Sequence, residues 1–335
     1  MSDEVLLRAT DVVKSFQVRG GKVGSKKTAT AVNGVSVDIL RGETLGIVGE
    51  SGCGKSTLAR CLVQLLPVTS GSVEFRGTTL TGLSRRQLRP FRHEMQLVFQ
   101  DPYASLNPRR TVGDIVADPL RINRFGTSAQ IDARVRELFV TVGLDPSYVQ
   151  RYPHEFSGGQ RQRIGIARSL GLNPSLVVAD EPVSALDVSV QAQVLNLMAD
   201  LQDELKLTYL FIAHDLGVVR HVSDRVGVMY LGQLVELADA DVLYDEPLHP
   251  YTEALLSAVP QLNDGTEVER ERIVLSGDVP DPAERPLGCP FHPRCAYATD
   301  ECRSEDPALV EIRPRRFVAC HHPLALTHNI GKDTA

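Results

Sequence analysis

The chain has 335 residues, enough for one large α/β domain and a smaller terminal piece. Apolar residues make up 42% and charged residues 23%, an ordinary globular balance, and a net charge of −6 gives no basic surface on which to expect nucleic acid. No run approaches the roughly 18–20 apolar residues needed to span a bilayer. The start, Met-Ser-Asp-Glu-Val-Leu-Leu-Arg, has no basic segment followed by an apolar stretch, so no secretory leader is expected. The chain is therefore expected in the cytosol, with any membrane attachment supplied by a partner.

Residues 19–28 are rich in Gly and Lys and read as an exposed loop. Val35, Val37 and Ile39 alternate with Ser36 and Asp38, the period of a half-buried strand. Residues 45–48 form a solid apolar run, as do 176–179 and 210–213; such runs suit the centre of a parallel sheet covered on both faces. Leu58, Cys61, Leu62, Leu65 and Leu66 recur at helical spacing just after the first of these runs. Residues 71–77 read as a short strand between turn glycines, 101–163 as mostly helical, and 190–205 as a further helix. After about Asp239 proline becomes frequent and periodicity fades. The expected architecture is a parallel α/β core with an antiparallel β layer, a helical insert over about 101–165, and a small cysteine-containing extension; the domains are 1–240 and 241–335.

Gly49-Glu50-Ser51-Gly52-Cys53-Gly54-Lys55-Ser56-Thr57 matches G-x-x-x-x-G-K-[ST] and lies between an apolar strand and a helix, the context that gives this pattern its meaning. Its glycines let backbone N–H groups approach phosphate oxygens and the helix start adds a favourable dipole. Lys55 reaches the terminal phosphates, and the Ser56 hydroxyl is a ligand for Mg²⁺. Cys53 reads as an incidental small residue of the loop. These features predict the RecA-like core of a P-loop NTPase that binds ATP.

The run 176–179 ends in Asp180 and Glu181. Asp180 stands where a Walker B aspartate holds Mg²⁺ through water, and Glu181 can polarise the attacking water. His214 follows the run 210–213, at the strand edge where ligands gather in open α/β sheets. Phe156-Ser157-Gly158-Gly159-Gln160-Arg161-Gln162-Arg163 places a Ser hydroxyl and Gly amides at a helix start. This segment resembles the signature of ATP-binding-cassette (ABC) proteins. The resemblance implies that Ser157, Gly158, Gly159 and Gln160 contact the ATP held by a second subunit. It also implies that Gln100 is the glutamine sensing Mg²⁺ and water, that Ser184 to Asp187 form the loop crossing the dimer interface, that His214 is the switch histidine, and that Phe16 stacks on adenine.

The finer resemblance is to ATP-binding subunits of dipeptide and oligopeptide importers, the F-type subunit above all. It is carried by Gln100-Asp101-Pro102-Tyr103-Ala104-Ser105-Leu106-Asn107-Pro108-Arg109 and by His249-Pro250-Tyr251-Thr252-Glu253-Ala254-Leu255-Leu256-Ser257-Ala258-Val259-Pro260. It implies a related ATP-binding partner in a heterodimer, two permease subunits docking near residues 100–110, an extracytoplasmic peptide-binding protein, and a peripheral position on the cytoplasmic face of the cell membrane. Nickel or other small-solute importers of the same branch share the ATPase residues. A soluble ABC ATPase fits less well, because neither a second cassette nor a long coiled-coil insert is present.

Cys289, Cys295, Cys302 and Cys320 crowd the last part of the chain, with five, six and seventeen residues between successive members. Such clustering in a reducing compartment suggests metal more than disulfides. The spacing fits neither paired zinc knuckles nor a ferredoxin run. The resemblance implies a [4Fe–4S] cluster; His292, His321 and His322 keep Cys/His zinc open, and unligated thiols are the plain alternative.

Overall fold

The computed structural model describes residues 4–19, 26–101, 103, 105–259 and 272–324. Residues 20–25 of the expected loop, Pro102 and Ala104 of the Gln100 segment, and Pro260 lie outside the described residues. The chain folds as two units that do not follow chain order: Met1–Glu4, Leu40–Glu43 and Gly82–Ile212 in one, and Val5–Ile39, Thr44–Thr81 and Ala213–Ala335 in the other.

The first unit contains three parallel strands, Met95–Val98, Leu176–Asp180 and Thr208–Ile212, with Met95 opposite Leu176 and Asp180 opposite Ile212. The two later strands are buried along their whole length, which is what an unbroken apolar run requires. Helices Val112–Ile122, Ser128–Thr141 and Gly158–Leu170 pack on one another. Each starts on a hydroxyl cap: Thr111 accepts the N–H of Asp114, and Thr127 and Ser157 form reciprocal capping boxes with Gln130 and Gln160. Asp187 likewise caps Val188–Leu205, so the helix begins two residues before the expected start at 190.

In the second unit, Val5–Arg19 lies between Lys26–Leu40 and Ser70–Phe75 in a four-stranded sheet completed by Thr78–Thr79. Val35, Val37 and Ile39 are buried there, while Ser36 and Asp38 face outward, as the alternation predicts. Lys26 to Thr28 belong to this strand rather than to a loop. The strand Thr44–Val48 runs parallel to Arg225–Tyr230, which pairs antiparallel with Gln233–Asp239; the extension adds the hairpin Val310–Arg313 and Arg316–Val318 to that strand. Among the described residues no helix is long and apolar enough to cross a membrane.

The helix after Thr44–Val48 covers only Lys55–Leu62, shorter than the leucine spacing suggests. Gln64 turns left-handed at φ 54°, and the N–H groups of Leu65 and Leu66 both reach back to the Arg60 carbonyl. That closes the helix before Leu65, which is exposed.

The extension is anchored by a buried carboxylate. Glu236 accepts the N–H groups of Leu248 and His249, each at 2.9 Å, and His249 Nδ1 accepts the N–H of Tyr251 at 3.0 Å, capping helix Pro250–Ser257. Burial lowers the His249 pKa to about 3, in keeping with a ring nitrogen that must stay unprotonated to accept. Because the folded pKa lies below the unfolded one, the unfolded chain binds the extra proton. Stability is therefore lost as pH falls from about 6.5 toward 3, by up to ~1.4 kcal/mol per pH unit. Replacing His249 by Asn, a cap without a titrating ring, should flatten this part of the profile. Denaturant unfolding of both proteins at pH 7.5 and 5 checks it: the gap between them narrows at pH 5, and an unchanged gap contradicts the assignment.

Candidate nucleotide site

The phosphate loop leaves the buried strand Thr44–Val48 at Gly49 and re-enters regular structure at Lys55. Two of its glycines are required by geometry. Gly49 has φ 152°, and a Cβ there would lie 2.1 Å from the Met229 carbonyl oxygen; Gly54 has φ 108°, and its Cβ would lie 2.0 Å from the Ala31 carbonyl oxygen. Gly54 also begins the helix without a side-chain cap, which leaves the first N–H groups and the positive end of the helix dipole for an anion. Lys55 is buried, with its Nζ 2.7 Å from the Gly49 carbonyl oxygen and 3.0 Å from that of Glu50. Ser51 and Gly52 are exposed at the loop's tip, and Ser56 and Thr57 are half-buried in the first helical turn. Cys53 is buried; burial pushes its thiol up and the neighbouring Lys55 pulls it partly back.

In the same unit, Phe16 presents an exposed ring on its strand, with Lys14 Nζ 5.1 Å from the ring centroid, so it is a surface aromatic and not a core residue. His214 is exposed, two residues past the strand Thr208–Ile212.

The other unit assembles the carboxylates. Asp180 is the buried last residue of Leu176–Asp180. Glu181 turns sharply at φ 47°, a conformation rare for a non-glycine residue, with its N–H on the Ile212 carbonyl at 2.9 Å. Gln100 Nε2 donates to Glu181 Oε2 at 2.7 Å, so two residues eighty-one positions apart meet at one carboxylate. Ser157 is exposed at the start of Gly158–Leu170, and both glycines behind it are packed. A Cβ on Gly159 would lie 2.3 Å from Val190 Cγ1, and one on Gly158 3.2 Å from Leu186 Cδ2.

Two arginines on the signature helix carry packing roles that the motifs do not assign. Arg161 is buried, donates to the Pro153 carbonyl at 2.7 Å and lies 4.0 Å over the Tyr103 ring; Arg168 donates to the Ser105 carbonyl at 2.8 Å. They tie the helix behind Ser157 to the segment after Gln100. Their seven-residue spacing on one helix face, with an aromatic in the facing segment, is the signal in the sequence.

In the extension, Cys289, Cys295, Cys302 and Cys320 line one cavity of ≈ 20 Å³ together with His249, His292, His321 and His322. All four thiols are free. Burial raises Cys289 to about 11 and Cys320 to about 12, so both are neutral thiols in this environment. Among the described residues, no group of three or more His, Cys, Asp or Glu side chains is arranged to hold a metal ion. The expected metal centre is therefore met only as a convergence of thiols on one cavity.

Comparison with known proteins bears on the whole chain. The family model for the ABC transporter matches residues 32–184, and that for the oligopeptide/dipeptide transporter C-terminal region matches 235–302. An oligopeptide transport ATP-binding protein, AppF of Bacillus subtilis, is 55% identical over 325 residues, covering 96% of this chain and 98% of the relative. A di/tripeptide transport ATP-binding protein, DppF of Pseudomonas aeruginosa, is 50% identical, covering 95% and 98%. Among solved structures, the dimeric post-hydrolysis state of the ATP-binding cassette MJ0796, bound to ADP and Pi, is 27% identical with a TM-score of 0.62 over 70% of this chain and 98% of its own. With a glycine-constrained phosphate loop, an acidic strand end and a capped signature helix all present, the chain belongs to the ABC transporter ATPases, in the group that carries the oligopeptide/dipeptide transporter C-terminal region.

Proposed function

We propose that this chain is the ATP-hydrolysing subunit that energises import of dipeptides and oligopeptides, acting as one half of a pair of nucleotide-binding subunits. The observation that carries the reading is the loop at Gly49 to Lys55, whose glycines and uncapped helix start suit a phosphate group and little else. The peptide substrate is supported by the names of the relatives and by the matched C-terminal region.

In this reading Lys55 and the N–H groups of residues 52–57 hold the phosphates, and Phe16 offers its exposed ring to adenine. Ser56, Asp180 and Gln100 hold the Mg²⁺, which when bound neutralises charge developing on the phosphate oxygens. Glu181 orients the attacking water. Gln100 keeps the Glu181 carboxylate in place by its 2.7 Å hydrogen bond, and His214 steadies the water and the terminal phosphate. Ser157, Gly158, Gly159 and Gln160 face the ATP of the other subunit, so the chain supplies half of each composite site. The partners are a related ATP-binding subunit in a heterodimer, two permeases and an extracytoplasmic peptide-binding protein, with the chain peripheral on the cytoplasmic face of the cell membrane. The functional portions are 1–240, with the helical insert at about 101–165, and 241–335.

The four thiols are proposed to hold a [4Fe–4S] cluster. That reading rests on the convergence of the four thiols on one cavity and on the resemblance of the extension to that of peptide importers. Iron or zinc must displace the protons of thiols that burial keeps neutral. Protein purified without oxygen should be brown and bleach with dithionite; colourless protein with stoichiometric zinc refutes the cluster.

Two measurements test the ATPase assignment and a third tests the substrate class. Glu181→Gln in the assembled transporter should trap ATP and reduce hydrolysis by at least ~100-fold, the scale of a lost water-orienting group; unchanged turnover refutes the role of Glu181. Gly54→Ala should abolish ATP binding by the full chain, because its Cβ would enter the Ala31 carbonyl; retained affinity refutes the geometry of the loop. Uptake of labelled dipeptide, against uptake of nickel, by vesicles holding the complex decides the substrate class.

A further inference from the structure

Glu50, the second residue of the phosphate loop, is held on every polar group it has. Its N–H donates to Tyr251 Oη at 2.9 Å. Its carboxylate accepts two bonds from Arg294, Nη1 to Oε2 at 2.7 Å and Nη2 to Oε1 at 3.1 Å. Its carbonyl accepts from Lys55 Nζ at 3.0 Å and from the N–H of Cys53 at 3.3 Å. The first two partners belong to the C-terminal extension; the last two belong to the loop's own phosphate-facing equipment. Glu50 is therefore the point at which the extension grips the loop.

The grip is rigid. The Arg294 side chain is 7% exposed and that of Glu50 29%, so this bidentate pair is shielded from solvent in a way that surface ion pairs are not. Arg294 lies 6.0 Å over the Tyr230 ring. Tyr230, Tyr251 and Phe291 are fully buried and pack on one another with ring centroids 4.7–5.4 Å apart. Tyr251 begins a helix fixed by Glu236 and His249, and Arg294 ends the 3₁₀ turn His292–Arg294 between Cys289 and Cys295.

We propose that Arg294 and Tyr251 are positioning residues for the phosphate loop. By fixing Glu50 they set where Lys55 and the loop N–H groups stand, and the extension thereby controls the affinity for ATP. Both residues act through Glu50 and neither is part of the loop. If the contact served only to dock the extension, breaking it would lower stability and leave nucleotide affinity alone.

The test uses the full chain for MgATP binding and the assembled transporter for kinetics. Arg294→Ala should weaken MgATP binding by about tenfold, the scale of a lost hydrogen bond to a charged group, and raise KM with little change in kcat. Arg294→Lys, which keeps the charge without the fork, should recover part of the loss, and Tyr251→Phe should weaken binding by about threefold. In a Glu50→Gln background the Arg294→Ala effect should largely disappear. A folded Arg294→Ala protein that binds MgATP within about twofold of the wild type overturns the proposal, and so does an undiminished Arg294→Ala effect in the Glu50→Gln background. Should Arg294→Ala fail to fold, unchanged affinity in both Arg294→Lys and Tyr251→Phe overturns it equally.

Discussion

The phosphate loop depends on one constraint: the helix at Lys55 starts open, with no side chain between its first backbone N–H groups and an anion. Thr111, Thr127 and Asp187 close their helix starts with side-chain oxygens, while the helix at Lys55 opens on a bare glycine. Gly49 and Gly54 are squeezed against the carbonyls of Met229 and Ala31, so the approach is built into the strands on either side as much as into the loop. The buried core strands and the sheet around them have the task of holding those two carbonyls in place.

The same economy governs the carboxylates. Asp180 is fixed because it ends a strand buried along its length, and Glu181 turns out of that strand through its own left-handed conformation, held by its N–H bond to the Ile212 carbonyl. Gln100 then fixes the side chain. The amide of Gln100 thereby holds the Glu181 carboxylate in one orientation.

The extension resembles an appendage in sequence but is integrated in structure. Its hairpin lengthens the strand order around Gln233–Asp239, its helix is anchored on the buried Glu236, and its aromatic cluster packs at the foot of the phosphate loop. The four thiols lie in the same tightly packed piece, and Phe291 belongs to both the cavity wall and the aromatic cluster.

The motifs were legible in the sequence because each is short and local. A glycine pattern, an apolar run ending in two acids and a Ser-Gly-Gly helix start are consequences of backbone conformation within a few residues, and they identified the loop, Asp180, Glu181 and the signature helix directly. Strand periods were legible for the same reason, Val35 to Ile39 being the clearest. What sequence could not decide depended on contacts between distant segments. The leucines at 65 and 66 continued the helical spacing, but a left-handed Gln64 ended the helix. Arg161 beside Tyr103, Gln100 on Glu181, and Arg294 on Glu50 across 244 positions are pairings that leave no periodic trace, because nothing in a linear pattern encodes which buried charge will meet which. The cysteines show both limits at once: their clustering was visible in the sequence, while their convergence on one cavity came only from the fold. Local backbone chemistry determined what this chain is, and tertiary packing decided how its loop is held.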